Sequence, residues 1–231
     1  MAILNATGLR KYYGSKHALV GIDLNVEPGR IVGLLGPNGS GKSTFIKICN
    51  GLLTPSDGQV LIDGNKPGIK TKAVVSYLPE NTYLNNWMKV SNMLSFFQDF
   101  YADFDIIKAR EMLKGLNINE KDSLRSLSKG TKEKVQLILV MARRAKLYLL
   151  DEPIGGVDPA ARDYILNTII KSYNPEASVI ISTHLIYDIE QVLDDVIFLK
   201  DGQIVLSSSV DDMRENHGMS VDAYFREVFR C

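Results

Sequence analysis

Gly36-Pro37-Asn38-Gly39-Ser40-Gly41-Lys42-Ser43-Thr44 follows the apolar run Arg30-Ile-Val-Gly-Leu-Leu35 and opens a stretch, Lys42 to Leu53, with apolar residues at helical spacing. An almost unbroken apolar run is the pattern of a strand buried on both faces. Strand, glycine-rich loop and helix, in that order, is the context in which G-x-x-x-x-G-K-[ST] becomes a phosphate-binding loop. The glycines let the backbone curl so that successive N–H groups point at phosphate oxygens, and the helix N-terminus adds its positive end. Lys42 is then placed to reach the β- and γ-phosphates of ATP or GTP. The Ser43 hydroxyl is placed to ligate Mg²⁺, and Thr44 to contact phosphate or cap the helix.

Working outward, the 231 residues suffice for one large domain or two small ones. Lys+Arg and Asp+Glu both number 27, so no strong field recruits nucleic acid or an anionic membrane. No apolar stretch approaches the roughly 20 residues that span a bilayer, and the N-terminus lacks a secretory pattern. The two cysteines, Cys49 and Cys231, suggest no disulfide framework. These features place the chain in the cytosol.

Residues 3–30 and 58–64 read as short strands, and Asp57-Gly58, Asp63-Gly64 and Asp201-Gly202 as hairpin turns. Met88–Tyr101, Asp105–Leu116 and Lys129–Ala145 each carry helical periodicity. Strands are expected at Leu147–Leu150, Ser178–Ser182 and Val196–Lys200, and a helix near Leu185–Leu193. Val221, Tyr224, Phe225, Val228 and Phe229 give a further helix one apolar face, expected to cover its own domain. The expected architecture is one α/β domain over residues 1–231, with an antiparallel strand section, a parallel-sheet core and an inserted helical subdomain at about 84–145.

Leu147-Tyr-Leu-Leu-Asp-Glu-Pro153 is a buried strand ending in two carboxylates. Beside a phosphate loop, Asp151 is expected to position Mg²⁺ and Glu152 to act as general base toward the attacking water. Leu127-Ser-Lys-Gly-Thr131 stands directly before a long helix, where Ser128 and the helix start offer either an anion site or an ordinary N-cap.

With these motifs in this order, the chain resembles the ATP-binding cassette (ABC) ATPases over essentially its whole length. Leu127, Ser128 and Gly130 match the family signature L-S-G-G-Q, while Lys129 and Thr131 depart from it. The resemblance implies that Ser128 and Gly130 contact the nucleotide of a second cassette. It also implies that Asp158, in Gly155-Gly-Val-Asp158-Pro159, organises the subunit contact, and that His184 contacts the γ-phosphate and attacking water. Tyr13 fits the aromatic that stacks on adenine, with Tyr12 adjacent. Tyr77-Leu-Pro-Glu80 aligns with the Q-loop, where glutamine is usual. A carboxylate suits a hard cation, so Glu80 is expected to be Mg²⁺-linked and to couple nucleotide state to the helical subdomain.

The resemblance further implies an ATPase using ATP and Mg²⁺, a head-to-tail homo- or heterodimer around two ATP, and a separately encoded, often export-type, membrane permease. Such a subunit would sit peripherally on the inner face of the membrane. Tyr83, Leu84 and Trp87 form either its docking surface or the internal packing of the helical subdomain. The alternative function is a soluble ABC ATPase acting in cofactor assembly or on another protein scaffold. A GTPase is disfavoured because Asn65-Lys66-Pro67-Gly68 lacks the aspartate of a guanine-reading motif.

Overall fold

The computed structural model describes residues 2–155, 159–174 and 176–229. In chain order its elements are strands β1 (Leu4–Tyr13), β2 (Lys16–Val26) and β3 (Ile31–Leu35), helix α1 (Lys42–Cys49), strand β4 (Asp57–Ile62), helix α2 (Ile69–Lys72) and strand β5 (Val75–Leu78). Helices α3 (Val90–Phe100), α4 (Ile106–Gly115) and α5 (Lys129–Met141) follow, then strand β6 (Leu147–Asp151), helix α6 (Pro159–Ser172), strand β7 (Ser178–Thr183) and helix α7 (Ile186–Ile189). Strands β8 (Asp195–Lys200) and β9 (Gln203–Ser209) and helices α8 (Val210–His217) and α9 (Val221–Val228) complete the order.

A six-stranded sheet in the order β5-β6-β7-β3-β8-β9 is parallel except for β9 at one edge. Every residue of β3, β6 and β7 is buried, as their continuous apolar sequences require. Successive side chains leave opposite faces of a strand. Leu34, Leu149, Ile180 and Ile197 therefore enter one core with α1 and the antiparallel strands. Their neighbours Leu35, Leu150, Ile181 and Phe198 enter another, with α5, α6 and α9. The second sheet, β2-β1-β4, is antiparallel. A third cluster joins Leu84, Met93, Phe97, Phe104 and Leu113 to Val135, Ile138 and Leu139 of α5. Helix α5 thus buries one face against the sheet and another against α3 and α4.

Several expected boundaries move, for local reasons. Asp57-Gly58 is no turn: it opens β4 opposite the bulge in β1, where a Cβ on Gly58 would lie 2.3 Å from the Gly8 carbonyl oxygen. Asp201-Gly202 does join β8 to β9, with both residues at positive φ. Helix α1 stops at Cys49 rather than Leu53. Gly51 at φ +69° lets its N–H reach the Ile48 carbonyl and the Leu52 N–H the Lys47 carbonyl, a Schellman ending. Helix α5 ends at Met141, where the chain turns so that Arg143 bridges Phe104. Only Ile186–Ile189 of the expected 185–193 helix is helical. At the far end, α9 covers its own domain as its periodicity implied. Phe225 meets Phe198 edge-on at 5.3 Å, with Tyr224 and Phe229 at 6.0 Å.

Candidate active site

Parallel alignment brings the chemistry to one edge. Leu35 pairs with Thr183 and Asp151 with Ser182, so the loops leaving β3, β6 and β7 start level at the carboxyl ends of the strands. Between them lies a cleft of about 850 Å³ lined by P-loop residues Asn38, Gly39, Gly41, Lys42, Ser43 and Thr44 and by Tyr13, Glu80, Glu152 and His184. At two of its glycines the loop has no room for a side chain. A Cβ on Gly36 would fall 2.3 Å from the Leu199 carbonyl oxygen. One on Gly41, at φ +112°, would fall 2.5 Å from that of Ala18. The β8–β9 turn buttresses the same loop: the Gly202 N–H donates to the Ser40 carbonyl at 3.0 Å.

The Lys42 side chain is 5% exposed, and its ammonium donates to the carbonyls of Gly36 at 2.8 Å and Pro37 at 3.1 Å. Glu152 Oε1 lies 3.5 Å away. Burial lowers the Lys42 pKa below its usual value, while the charges of Glu152, Asp151 and Glu80 act to raise it. Three carboxylates thus bear on one desolvated cation.

Glu152 holds φ +50°, with its N–H on the Ser182 carbonyl at 3.0 Å. Its carboxylate meets His184 Nδ1 at 3.1–3.2 Å. An ionised carboxylate only accepts, so Nδ1 carries the hydrogen and Nε2 remains for other partners.

Asp151 is 1% exposed. Its Oδ1 accepts from Ser43 Oγ at 2.9 Å and Ser182 Oγ at 2.6 Å. Its Oδ2 has no partner among the described residues, an orphaned buried anionic oxygen beside a hydroxyl. That donor set suits a hard cation such as Mg²⁺. No group of three or more His, Cys, Asp or Glu that could hold a metal occurs among the described residues. Such an ion would therefore complete its shell from nucleotide oxygens and water.

The structure brings Lys42, Ser43, Thr44, Glu80, Glu152, His184 and Tyr13 to one cleft, with Asp151 directly behind Ser43. Tyr13 stands at the mouth, 46% exposed, with Lys11 Nζ 5.3 Å from its ring, whereas Tyr12 packs on His17 at 4.6 Å. Ser128 and Gly130 do not line the cleft. Ser128 caps α5, accepting from the Thr131 N–H at 3.2 Å. Asp158 lies outside the described residues. Leu84 is buried in the helical cluster, while Tyr83 and Trp87 are exposed, which divides that trio between packing and surface. Sequence reasoning missed Ser182, whose only signal is a hydroxyl in an apolar strand. It also missed Lys16 and Glu133, which line the cleft without any motif, and Lys129, the signature residue that does reach it.

Comparison with known proteins agrees with this geometry. The family model described as ABC transporter matches residues 19–155. The ABC transporter ATP-binding protein YtrB of Bacillus subtilis (strain 168) is 30% identical over 212 residues, 90% of this chain and 73% of the relative. The SkfA peptide export ATP-binding protein SkfE of the same organism is 29% identical over 221 residues, 93% of this chain and 92% of the relative. A solved ATP-binding subunit of an ABC transporter superposes with a TM-score of 0.88 at 27% identity, over 99% of this chain and 100% of that one.

Proposed function

The chain belongs to the ABC transporter family of ATP-binding, ATP-hydrolysing subunits, and on that premise we propose that it works in a head-to-tail pair of cassettes driving a separate membrane permease. The observation that carries this reading is the division of the motifs. Lys42, Ser43, Glu152 and His184 share one cleft, whereas Ser128 and Gly130 stand outside it at the start of α5. Backbone N–H groups at a helix N-terminus suit a phosphate, and we assign those at the start of α5, beside the capping Ser128, to the nucleotide of a facing cassette. Each cleft is then completed by its neighbour, with Asp158 at the contact.

Within one cleft, Tyr13 offers a ring face to the adenine. The backbone N–H groups of residues 36–44, with Lys42, take up the phosphate charge. Ser43, Asp151 and Glu80 would hold Mg²⁺, which when bound would neutralise charge on the phosphate oxygens. Glu152 accepts the proton of the attacking water, and His184, oriented through Nδ1, presents Nε2 toward the γ-phosphate. Loss of the γ-phosphate removes a ligand that favours the closed pair, which is the differential binding a transport cycle requires.

No helix among the described residues is long and apolar enough to cross a membrane. One relative's name, that of a peptide export ATP-binding protein, supports an export-type system. Tyr83 and Trp87 are exposed, which supports assigning them to the surface that meets the permease.

Ser128→Asp tests the shared site. Aspartate is as good an N-cap as serine but sets a carboxylate against a facing γ-phosphate. ATP affinity of the single chain is expected to stay within about two-fold and hydrolysis to fall by about 100-fold or more. Hydrolysis at the parent rate, or an equal loss of binding, would overturn the reading.

A further inference from the structure

Helix α5 and the turn that follows it present a line of polar groups at helical spacing, two side chains, a carbonyl and a guanidinium, and each holds one point of residues 75–86. Lys132 Nζ donates to Asn86 Oδ1 at 2.9 Å. Gln136 Oε1 accepts from the Tyr83 N–H at 3.2 Å, and its Nε2 donates to the Pro79 carbonyl at 3.4 Å. The Val140 carbonyl accepts from Ser76 Oγ at 2.8 Å, and Arg143 Nη1 donates to the Val75 carbonyl at 2.5 Å. As the chain ascends from 132 in α5 to 143 just beyond it, its partners descend from 86 to 75. The result is an antiparallel seam between a helix and a strand with its loop.

Gln136 is the centre of that seam and is only 3% exposed. Its two bonds bracket Glu80, Asn81 and Thr82, three exposed residues that all line the cleft. An amide is the side-chain head that can donate to one backbone group and accept from another at once. Leucine would fill the space and leave both loop ends unpaired, whereas glutamate would lack the donor when ionised.

We propose that Gln136 is a positioning residue that clamps the loop 79–83 to the helix beginning at Ser128, so that this loop and the signature segment move as one body. The consequence for nucleotide chemistry rests on the reading of Glu80 as Mg²⁺-linked. A shift at Glu80 is carried through Gln136 into α5, and the placement of Ser128 feeds back on Glu80 by the same route.

The experiment compares Gln136→Leu with Glu80→Gln in the full chain. It measures hydrogen exchange at the Tyr83 amide and the affinity for a fluorescent ATP analogue with and without Mg²⁺. Gln136→Leu is expected to speed Tyr83 exchange by about ten-fold or more, since it removes that amide's acceptor. It should also abolish most of the Mg²⁺-dependent gain in affinity, while affinity without Mg²⁺ stays within about two-fold because Lys42 and the P-loop are untouched. Unchanged Tyr83 exchange overturns the clamp. So does a retained Mg²⁺ gain in Gln136→Leu when Glu80→Gln has lost it. If Glu80→Gln itself keeps the gain, the Mg²⁺ reading of Glu80 fails, and Tyr83 exchange alone decides the clamp. Gln136→Asn, one methylene short, gives the same two readouts should the leucine variant not fold.

Discussion

At the carboxyl ends of β3, β6 and β7, the chemical groups stand on strands buried on both faces and laddered to their neighbours along their whole length. The helices α3 and α4 are attached in another way. They share an apolar cluster with one face of α5, whose other face packs on the sheet, and polar side chains such as Arg143, Gln136 and Ser76 tie the segments at that join. Backbone ladders give when a strand is lost, whereas side-chain tethers can be exchanged singly. The first construction suits a site that must hold phosphate and carboxylate within a fraction of an ångström. The second suits a part that answers nucleotide state by shifting as a body.

The largest expected effect lies on the rigid side. Glu152→Gln should lower the hydrolytic rate by about 100- to 1,000-fold while leaving ATP binding intact, because the amide keeps an oxygen for His184 but cannot take the proton of the attacking water. Steady-state rates beside equilibrium binding check this. A variant that hydrolyses at a tenth of the parent rate or better would move the base elsewhere.

Next comes the principal tether. Arg143 is 2% exposed; its guanidinium bonds Asp103 and the carbonyls of Val75 and Ala73 and lies 3.9 Å over the Tyr101 ring. Arg143→Met leaves Asp103 and those carbonyls unpaired and should cost about 3 kcal/mol in denaturant unfolding. A loss below about 1 kcal/mol would mean that the apolar cluster alone holds the helices.

How much of this was readable beforehand follows the same division. Phosphate loop, carboxylate strand and switch-position histidine are contiguous motifs, and their buried strands announce themselves as apolar runs. The long strand β9 and helices α6 and α8 carry no such run, because they lie at an edge or alternate polar with apolar residues. Gln136 and Arg143 were illegible for a different reason. Their partners are 40 to 71 residues away in sequence and are mostly backbone groups, which leave no residue-type signature. Asp57-Gly58 misled because a turn dipeptide and a close backbone approach both call for glycine.

A smaller effect is expected where α9 packs on the sheet side. Phe225→Ala removes a ring stacked on Phe229 at 4.1 Å and set edge-on to Phe198, but the residue is only partly buried. The expected cost is about 1–2 kcal/mol, with hydrolysis per folded molecule unchanged. The smallest belongs to Trp87, 76% exposed. Trp87→Ala should shift stability by less than about 0.5 kcal/mol and leave the isolated chain's ATPase rate unaltered, so that any defect appears only with a permease present. A marked loss of stability would return Trp87 to the packing of the helices.

The most direct measurement of the central claim is the molar mass of Glu152→Gln by size-exclusion chromatography with light scattering, in ATP with Mg²⁺ and again in ADP. Two cassettes sharing each triphosphate predict a mass near twice 25.7 kDa with ATP and a single-chain mass with ADP. A single-chain mass under saturating, verified ATP would contradict the account.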